Sequence, residues 1–507
     1  MNNPPIMKSK LDLLSFDILQ YISSNLRNDN NDNNGSAIED NDFDSDSKGP
    51  LSSNADIDNM YSISLYFKAF KKSTYYYKLN RIYSINFLTD DNFRHKVNGC
   101  MINPKYQLSL NLRRYKDISF YNLSLLKNVH SINLCDNEDI IDIAELSQIH
   151  TLNVSRTSVT DVSALSNLTN LNISETGVTD VSMLSNVTNL DLESTLVSDV
   201  SMLGKCRKLN LSKCKLISDV SCLSKLVSLD LSSTLISDVS MLGSIYELNL
   251  ASCQNVVDVS KLGSVHTLNL YGCENIVDVS ALGNVYSLDL SHCRKVTDVS
   301  MLGACNELFL SYTLVQDVSS LGNVRILDLS YCKNIIDVSN LRNNHVVDLS
   351  YCDNLTDVSS LGNLKVLNLR GSKRVTNVSC LGSVLDLNLS FLPILNDVSS
   401  LGNCRNLNLR GCWSLSDVSA LGTVSNSLNL SWCDSITDVS SLGSVPHLNL
   451  ARCLSLTDIS GLGKGNISLN LSCNTNITSI SHLKSVKHLN ISWCTNLKEL
   501  RLALNED

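Results

Sequence analysis

The stretch VHTLNLYGCENIVDVSALGN, residues 265–284, is one copy of a motif that runs from residue 129 to the end of this 507-residue chain. Aligned on the first leucine of its L-x-L core, the motif occurs nineteen times at steps of 19 to 21 residues. The aligned residues are Ile132, Leu152, Leu171, Leu190, Leu209, Leu229, Leu248, Leu268, Leu288, Leu308, Leu327, Val347, Leu367, Leu387, Leu407, Leu428, Leu448, Leu469 and Leu489. A fixed period this short is typical of a solenoid, in which each copy forms one coil.

A single copy contains too little apolar surface to fold alone. Leu268 and Leu270 alternate with the polar residues Thr267 and Asn269, which is the pattern of a short half-buried strand. Burying the apolar side chains of one copy yields about 1.5–3 kcal/mol each, whereas ordering its backbone costs about 1–2 kcal/mol per residue. The copies must therefore stack and share one continuous core.

This pattern resembles the leucine-rich repeat, L-x-x-L-x-L-x-x-N/C-x-L, over about three quarters of the chain. The resemblance implies an α/β solenoid with a parallel sheet on its concave side. The short return path of each repeat has no room for an α-helix, so we expect a 3₁₀ turn or a β-turn on the convex side. The D-V-S-x-L stretch is also similar to the repeats of bacterial internalins, and a small helical region is expected before the solenoid.

Three polar columns recur along the repeats. The Asn/Cys/Thr position of the motif is mostly cysteine or threonine, and we expect it to satisfy backbone groups where the strand turns into the core. The aspartate of D-V-S-x-L is expected to cap the return turn. The residue between the two core leucines is usually asparagine, and its amides are expected to bond along the sheet. The chain has eighteen cysteines and no C-x-x-C pair, which favours buried thiols.

The N-terminal region carries a second resemblance. Leu14, Asp17, Ile18, Leu19 and Ile22 match the opening of an F-box, although Ser15 stands where that family usually has proline, and residues 60–79 are similar to the helix that closes it. The interpretation divides the chain into an F-box-like helical region (residues 1–26 and 60–106), a disordered acidic insertion (27–59), a cap with a degenerate repeat (107–131) and the solenoid (132–507). The alternative is that the N-terminal helix only caps the solenoid.

Large aromatic residues and arginines gather at the third and fourth positions after the first core leucine in the second half of the chain. Tyr, Trp and Arg dominate binding hot spots, so this row is the candidate site for a protein partner on the concave face. The alternative is that these side chains only cover the sheet edge. The row consists of Tyr312, Tyr331, Tyr351, Arg370, Phe391, Arg410, Trp432, Arg452 and Trp493.

The remaining sequence features narrow the class of function. There is no catalytic constellation, so we expect no enzyme activity, no cofactor and no metal site. The net charge of −9 argues against nucleic acid, and no apolar run is long enough for a membrane span. The N-terminal residues do not form a secretion signal, which favours an intracellular, cytoplasmic or nuclear location. The Asn-, Asp-, Ile- and Tyr-rich composition resembles that of proteins from amoebae and their giant viruses.

Two functional hypotheses follow. The F-box resemblance implies a substrate receptor that docks the adaptor of a cullin-type ubiquitin ligase and holds a target on the repeats. The alternative is a leucine-rich-repeat binding scaffold with no link to a ligase.

Overall fold

The computed structural model describes residues 75–100, 106–118 and 121–497. The F-box-like positions between residues 14 and 22 and the acidic insertion at 27–59 lie outside these ranges. The described part begins with a strand, two helices and a second strand: β1 (Tyr75–Lys78), α1 (Arg81–Thr89), α2 (Asp91–Cys100) and β2 (Tyr106–Asn111).

Strand β1 corrects one expectation. Residues 60–79 were expected to form a helix, but Tyr75–Lys78 is a strand that pairs in parallel with β2, with Tyr77 opposite Leu108. Its three consecutive tyrosines favour the extended backbone, and the strand gains hydrogen bonds from the free edge of β2. The end of the predicted helix is therefore wrong, and the sheet of the solenoid begins before the first recognisable repeat.

Each repeat then contributes one three-residue strand. The strands are β3 (Ser131–Asn133), β4 (Thr151–Asn153), β5 (Asn170–Asn172), β6 (Asn189–Asp191), β7 (Lys208–Asn210), β8 (Ser228–Asp230), β9 (Glu247–Asn249), β10 (Thr267–Asn269), β11 (Ser287–Asp289), β12 (Glu307–Phe309), β13 (Ile326–Asp328), β14 (Val346–Asp348), β15 (Val366–Asn368), β16 (Asp386–Asn388), β17 (Asn406–Asn408), β18 (Ser427–Asn429), β19 (His447–Asn449), β20 (Ser468–Asn470) and β21 (His488–Asn490).

All 21 strands form one sheet. Each strand pairs in parallel with its successor in the chain, and equivalent residues lie opposite each other, as Leu268 does Leu288 and Leu308 does Leu327. The core leucines consequently form continuous columns, and Leu268, Leu270 and Leu282 are all almost completely buried. The predicted fold class, a solenoid with one strand per repeat, is confirmed.

The return path of most repeats is a single 3₁₀ turn. These turns are Leu123–Leu126, Ala144–Leu146, Ser163–Leu165, Ser182–Leu184, Ser201–Leu203, Ser221–Leu223, Ser280–Leu282, Leu302–Ala304, Ser319–Asn323, Ser339–Asn343, Ser359–Asn363, Ser379–Ser383, Leu401–Asn403, Ser419–Thr423, Ser440–Ser444 and Ser481–Ser485. The repeat aspartate lies one residue before the N-cap, which is Val162 in the turn Ser163–Leu165, and not at the N-cap itself as expected. It still holds the start of the turn, because the carboxylate of Asp161 accepts a hydrogen bond from the Ser163 N–H at 2.9 Å. The backbone N–H and hydroxyl of Ser163 stabilise this carboxylate and lower its pKa.

The polar side chains at the Asn/Cys/Thr position donate hydrogen bonds to backbone carbonyls, although the residue type differs from repeat to repeat. The hydroxyl of Thr195 donates to the carbonyl of Leu192 in its own repeat at 2.7 Å, and the thiol of Cys214 donates to that same carbonyl from the next repeat at 3.0 Å. Asn474, which has two N–H groups, donates to the preceding repeat at 2.7 Å and to its own at 2.9 Å. The column therefore satisfies backbone carbonyls, as predicted, and every described cysteine is a free thiol.

The extra residue of the cysteine repeats forms an additional turn. The N–H of Ile276 donates to the carbonyl of Cys273 at 3.2 Å, and Val296 does the same to Cys293 at 3.0 Å. This turn accounts for the spacing seen in the sequence, where aspartate follows threonine after four residues but cysteine after five.

Candidate functional site

The residues between the core leucines form a structural column on the sheet face. The amide oxygen of Asn153 accepts from the N–H of Ser155, two residues on, at 2.9 Å, and this bond recurs along the column. Bonds between strands also occur, as from Asn368 to the carboxylate of Asp348 at 2.8 Å. The column therefore makes two kinds of hydrogen bond. The predicted bonds between strands are present, but the side-chain oxygen mainly accepts from the turn that follows each strand.

The candidate row lies in those turns, at the carboxyl edge of the sheet. The residue four positions after the first core leucine has a positive φ throughout, including seventeen non-glycine residues such as Tyr331 (φ 58°) and Trp432 (φ 66°). This conformation costs about 1–3 kcal/mol for a side chain of this kind. It lets the N–H of Tyr331 reach the carbonyl of Ser350 in the next repeat at 2.8 Å, so the turn is fixed to its neighbour. The repeat pattern did not predict this conformation.

In the first half of the solenoid this edge carries ion pairs. Asp136 accepts from Arg113 at 2.7 Å, and Arg156 pairs with Glu175 at 2.8 Å. Partial burial raises the pKa of Asp136, but the hydrogen bond and charge of Arg113 more than offset this, so the pKa is lower than usual. We call this set the ion-pair row; it consists of Arg113, Arg114, Asp136, Arg156, Glu175, Glu193 and Lys213.

In the second half the same edge carries stacked rings. The ring centroids of His292 and Tyr312 are 4.3 Å apart, those of Tyr312 and Tyr331 are 4.2 Å apart, and those of Tyr331 and Tyr351 are 4.5 Å apart. Tyr271 extends the stack at 5.0 Å from His292 in a tilted geometry. Burial lowers the pKa of His292, and the charge of Arg294 adds to this, so the neutral imidazole is favoured in the stack.

Beyond Tyr351, guanidinium groups alternate with the rings. The central carbon of Arg370 lies 5.7 Å from the ring centroid of Tyr351 and 5.0 Å from that of Phe391. Arg410 lies 5.6 Å from Phe391 and 5.5 Å from Trp432. Arg452 closes the stack 3.9 Å from the Trp432 centroid. Stacking of this kind is favourable because the ring face is negative.

Two glycines make the alternation possible. Gly371 and Gly411 occupy the positive-φ position of their repeats, at 68° and 70°. A Cβ atom on Gly371 would lie 2.6 Å from the Tyr351 ring, and one on Gly411 would lie 2.8 Å from Phe391. In these repeats the preceding arginine takes the place in the stack.

The structure thus joins ten side chains from ten consecutive repeats, which we call the aromatic–arginine row. Eight of the nine predicted residues belong to it, and sequence reasoning missed Tyr271 and His292, which occupy the same two positions of earlier repeats. Trp493 does not belong: Cys473 occupies the intervening repeat, and Trp493 is 78% exposed. The row consists of Tyr271, His292, Tyr312, Tyr331, Tyr351, Arg370, Phe391, Arg410, Trp432 and Arg452.

Two neighbouring aspartates lie in the polar column of the sheet face. Phe309 interrupts the polar column, and Asp328 follows it on the next strand, with Asp348 beyond. Burial raises the pKa of Asp328 to about 7, and the neighbouring charge of Asp348 adds to the effect. Burial also raises the pKa of Asp348, although Asn368 donates to it. The carboxyl of Asp328 is therefore partly protonated near neutral pH.

Within residues 75–100, 106–118 and 121–497, no group of three His, Cys, Asp or Glu side chains is placed to hold a metal ion. In the same ranges, no helix has the length and apolar character needed to cross a membrane.

The parallel sheet with one strand per coil, its 3₁₀ return turns and the Asn/Cys/Thr column define a leucine-rich-repeat solenoid. No family model and no curated protein matches the chain. Among solved structures, it is similar to the mouse RP105/MD-1 complex, with 15% identity and a TM-score of 0.51 over 80% of this chain and 91% of that chain.

Two bacterial structures are also similar. One is the internalin InlF of Listeria monocytogenes, with 18% identity and a TM-score of 0.32 over 73% of this chain and 89% of that chain. The other is a leucine-rich-repeat protein of Leptospira interrogans, with 16% identity and a TM-score of 0.41 over 67% of this chain and 94% of that chain. At these identities the likeness concerns the fold.

Proposed function

We propose that this chain is a protein-interaction scaffold whose binding site is the aromatic–arginine row. The observation that carries the proposal is the continuous stack of ten side chains along one edge of the sheet, from Tyr271 to Arg452. Tyrosine, tryptophan and arginine contribute most to binding energy at protein interfaces. A sequence that only needed to cover the sheet edge could use the ion pairs found in the first half.

The rigidity of the row supports a binding role. The N–H groups of Tyr351, Phe391 and Trp432 each donate to a carbonyl of the next repeat, at 2.8, 2.7 and 2.9 Å. Each ring is further held by its neighbours in the stack, so little side-chain entropy remains to be lost when a partner binds. Preorganisation of this kind raises affinity without adding contacts.

Affinity capture from cell extract tests the proposal, with the full chain compared with a double variant, Tyr331→Ala with Trp432→Ala. A matched control, Tyr246→Ala with Tyr286→Ala, removes another stack, in which both rings flank His266 at 4.3 and 4.7 Å. We expect the row variant to lose partners that the control variant keeps, with circular dichroism showing that both remain folded. Identical sets of partners in the two variants would show that the row is not the binding site.

A finer hypothesis rests on the N-terminal sequence, which lies outside the described ranges. Leu14, Asp17, Ile18, Leu19 and Ile22 support the role of an F-box, and the chain would then be a substrate receptor of a cullin-type ubiquitin ligase in the cytoplasm or nucleus. Pull-down of the ligase adaptor with the full chain and with a chain lacking residues 8–26 tests this. We expect capture by the full chain alone; if neither binds the adaptor, the plain scaffold remains.

A further inference from the structure

The three arginines of the aromatic–arginine row differ from the basic residues of the ion-pair row in their partners. Arg156 pairs with Glu175, and Lys213 pairs with Glu193 at 2.6 Å. Among the described residues, Arg370, Arg410 and Arg452 form no ion pair, and their guanidinium groups lie over aromatic rings. The same edge of the sheet is therefore nearly neutral in its first half, whereas its second half carries three arginines without an ion-pair partner, of which Arg370 also interacts with the carboxyl of Asp348 through its charge.

Stacking leaves these guanidinium groups able to bind anions. A guanidinium that lies against a ring uses its face, while its N–H groups point outward in the plane and remain available for bidentate contact with a carboxylate. Arg410 and Arg452 are exposed, and Arg370 is half-buried. The arginines are thus held by the rings without accepting groups of their own; the Nε of Arg370 is buried without a hydrogen-bond partner, so the outer part of its guanidinium is what a ligand could contact.

Their spacing defines the geometry of a matching partner. Arg370, Arg410 and Arg452 follow strands β15, β17 and β19, two strands apart in each case. Neighbouring strands are about 4.8 Å apart, so successive arginines are separated by roughly 9.6 Å. A polyproline II segment rises about 3.1 Å per residue with three residues per turn, so every third side chain returns to the same face after roughly 9.3 Å.

We infer that the aromatic–arginine row binds an acidic peptide segment in the polyproline II conformation, with aspartate or glutamate at every third position. Each acidic side chain meets one arginine, and one of the two residues between successive acids packs at the side of the segment against Phe391 or Trp432, since proline rings pack well against aromatic faces. The chain as a whole carries a net charge of −9, so attraction of an acidic segment to the row depends on the local charge of these three arginines. The inference rests on the proposed function, because it specifies which protein segment that site recognises.

Fluorescence anisotropy with the full chain tests the inference. The probe is a labelled peptide of four Glu-Pro-Pro units, and the control peptide has the same composition with its glutamates in one block. We expect the in-register peptide to bind at least about ten-fold more tightly than the control, because a charge-assisted contact contributes about 1.5–3 kcal/mol. We also expect binding to weaken as salt is added. Equal affinity for the two peptides would overturn the inference.

Matched variants locate the contact. Arg410→Gln, at the centre of the row, should weaken the in-register peptide at least about ten-fold, since a bidentate contact is lost. Arg410→Lys should restore only part of this affinity because lysine lacks the planar donor pair. Arg156→Gln, in the ion-pair row, should leave binding unchanged. Equal effects of the glutamine variants at residues 156 and 410 would overturn the assignment of the site.

A single-stranded oligonucleotide provides the competing arm, since stacked aromatic and arginine side chains can also bind bases. Tighter binding of the oligonucleotide than of the in-register peptide would overturn the inference. The outcome for the scaffold function is separate: if neither peptide binds but the row variant still loses its captured partners, the peptide inference fails and the scaffold function stands.

Discussion

Replacing Asp328 by asparagine tests how much charge the polar column of the sheet face tolerates. Asp328 lies between Phe309 and Asp348 on the adjacent strands, and its carboxylate accepts a 2.8 Å hydrogen bond from the Ser330 N–H. Burial, with the charge of Asp348, raises its pKa from 3.8 to about 7. The folded chain therefore binds this proton more tightly than the unfolded chain does.

The sign of the stability effect follows from this difference. The protonated carboxyl contributes stability that is complete below a pH of about 4 and is lost as the pH rises through about 7. A pKa of about 7 in the folded chain, against 3.8 in the unfolded chain, corresponds to at most roughly 4 kcal/mol, because Asp328 keeps some contact with solvent. Because the titration is shared with Asp348, we expect Asp328→Asn to stabilise the chain by about 2–4 kcal/mol above pH 7. Asparagine keeps the oxygen that accepts from Ser330 and adds a donor toward Asp348, as Asn368 provides from the other side at 2.8 Å.

The assay is urea unfolding followed by circular dichroism, with parent and variant compared at about pH 4 and about pH 8. The variant should gain stability at the higher pH and differ little at the lower one. Asp230→Asn is the control, because Asp230 lies between asparagines and accepts from Asn249 at 2.8 Å, so it has no like charge beside it to relieve. An equal change for Asp328→Asn at both pH values, or a loss at the higher one, would refute the reasoning.

Two further predictions concern the turns and the cysteine column. Ser252→Gly should stabilise the chain by about 0.5–1 kcal/mol, because Ser252 has a φ of 59° that glycine adopts without strain, and Ser252→Ala should give no such gain in the urea midpoint. Cys273→Ala should destabilise it by about 1–3 kcal/mol, since the buried thiol donates to the Leu250 carbonyl at 3.1 Å. Cys273→Ser should lose less, because Ser372 makes the equivalent bond at 2.7 Å; equal losses for the alanine and serine variants would show that the hydrogen bond does not matter.

The repeat period was sufficient to predict the sheet. When equivalent residues recur at nearly constant spacing, stacked coils place them opposite each other, and the pairing of Leu268 with Leu288 follows. The involvement of the D-V-S aspartate at the start of the return turn was also predictable, because its hydrogen bond joins residues only two positions apart. Strand β1 was not, since Tyr75–Lys78 has no repeat signature and is ordered by pairing with β2.

The conformation of the sheet edge could not be predicted in the same way. A positive φ at Tyr331 or Trp432 contradicts the local preference of both residues and is fixed by a hydrogen bond to the next repeat. The signal in the sequence was indirect: Gly272, Gly371 and Gly411 occupy the same position as these aromatic residues. These three glycines indicate that the position favours glycine, although most repeats carry a larger residue there.

The larger residues at this position compensate the charges of their neighbours in both halves of the sheet edge. Side chains brought together about every 4.8 Å along a line cannot all carry the same charge, so each must be compensated by its neighbour. The first half does this with opposite charges, as between Arg156 and Glu175, and these groups satisfy one another. In the second half, ring faces stabilise the positive charges, as the Trp432 ring does for Arg410. A ring face holds the cation without neutralising it. Only the second arrangement keeps a net charge available to a partner, and it is there that binding should depend on the arginines.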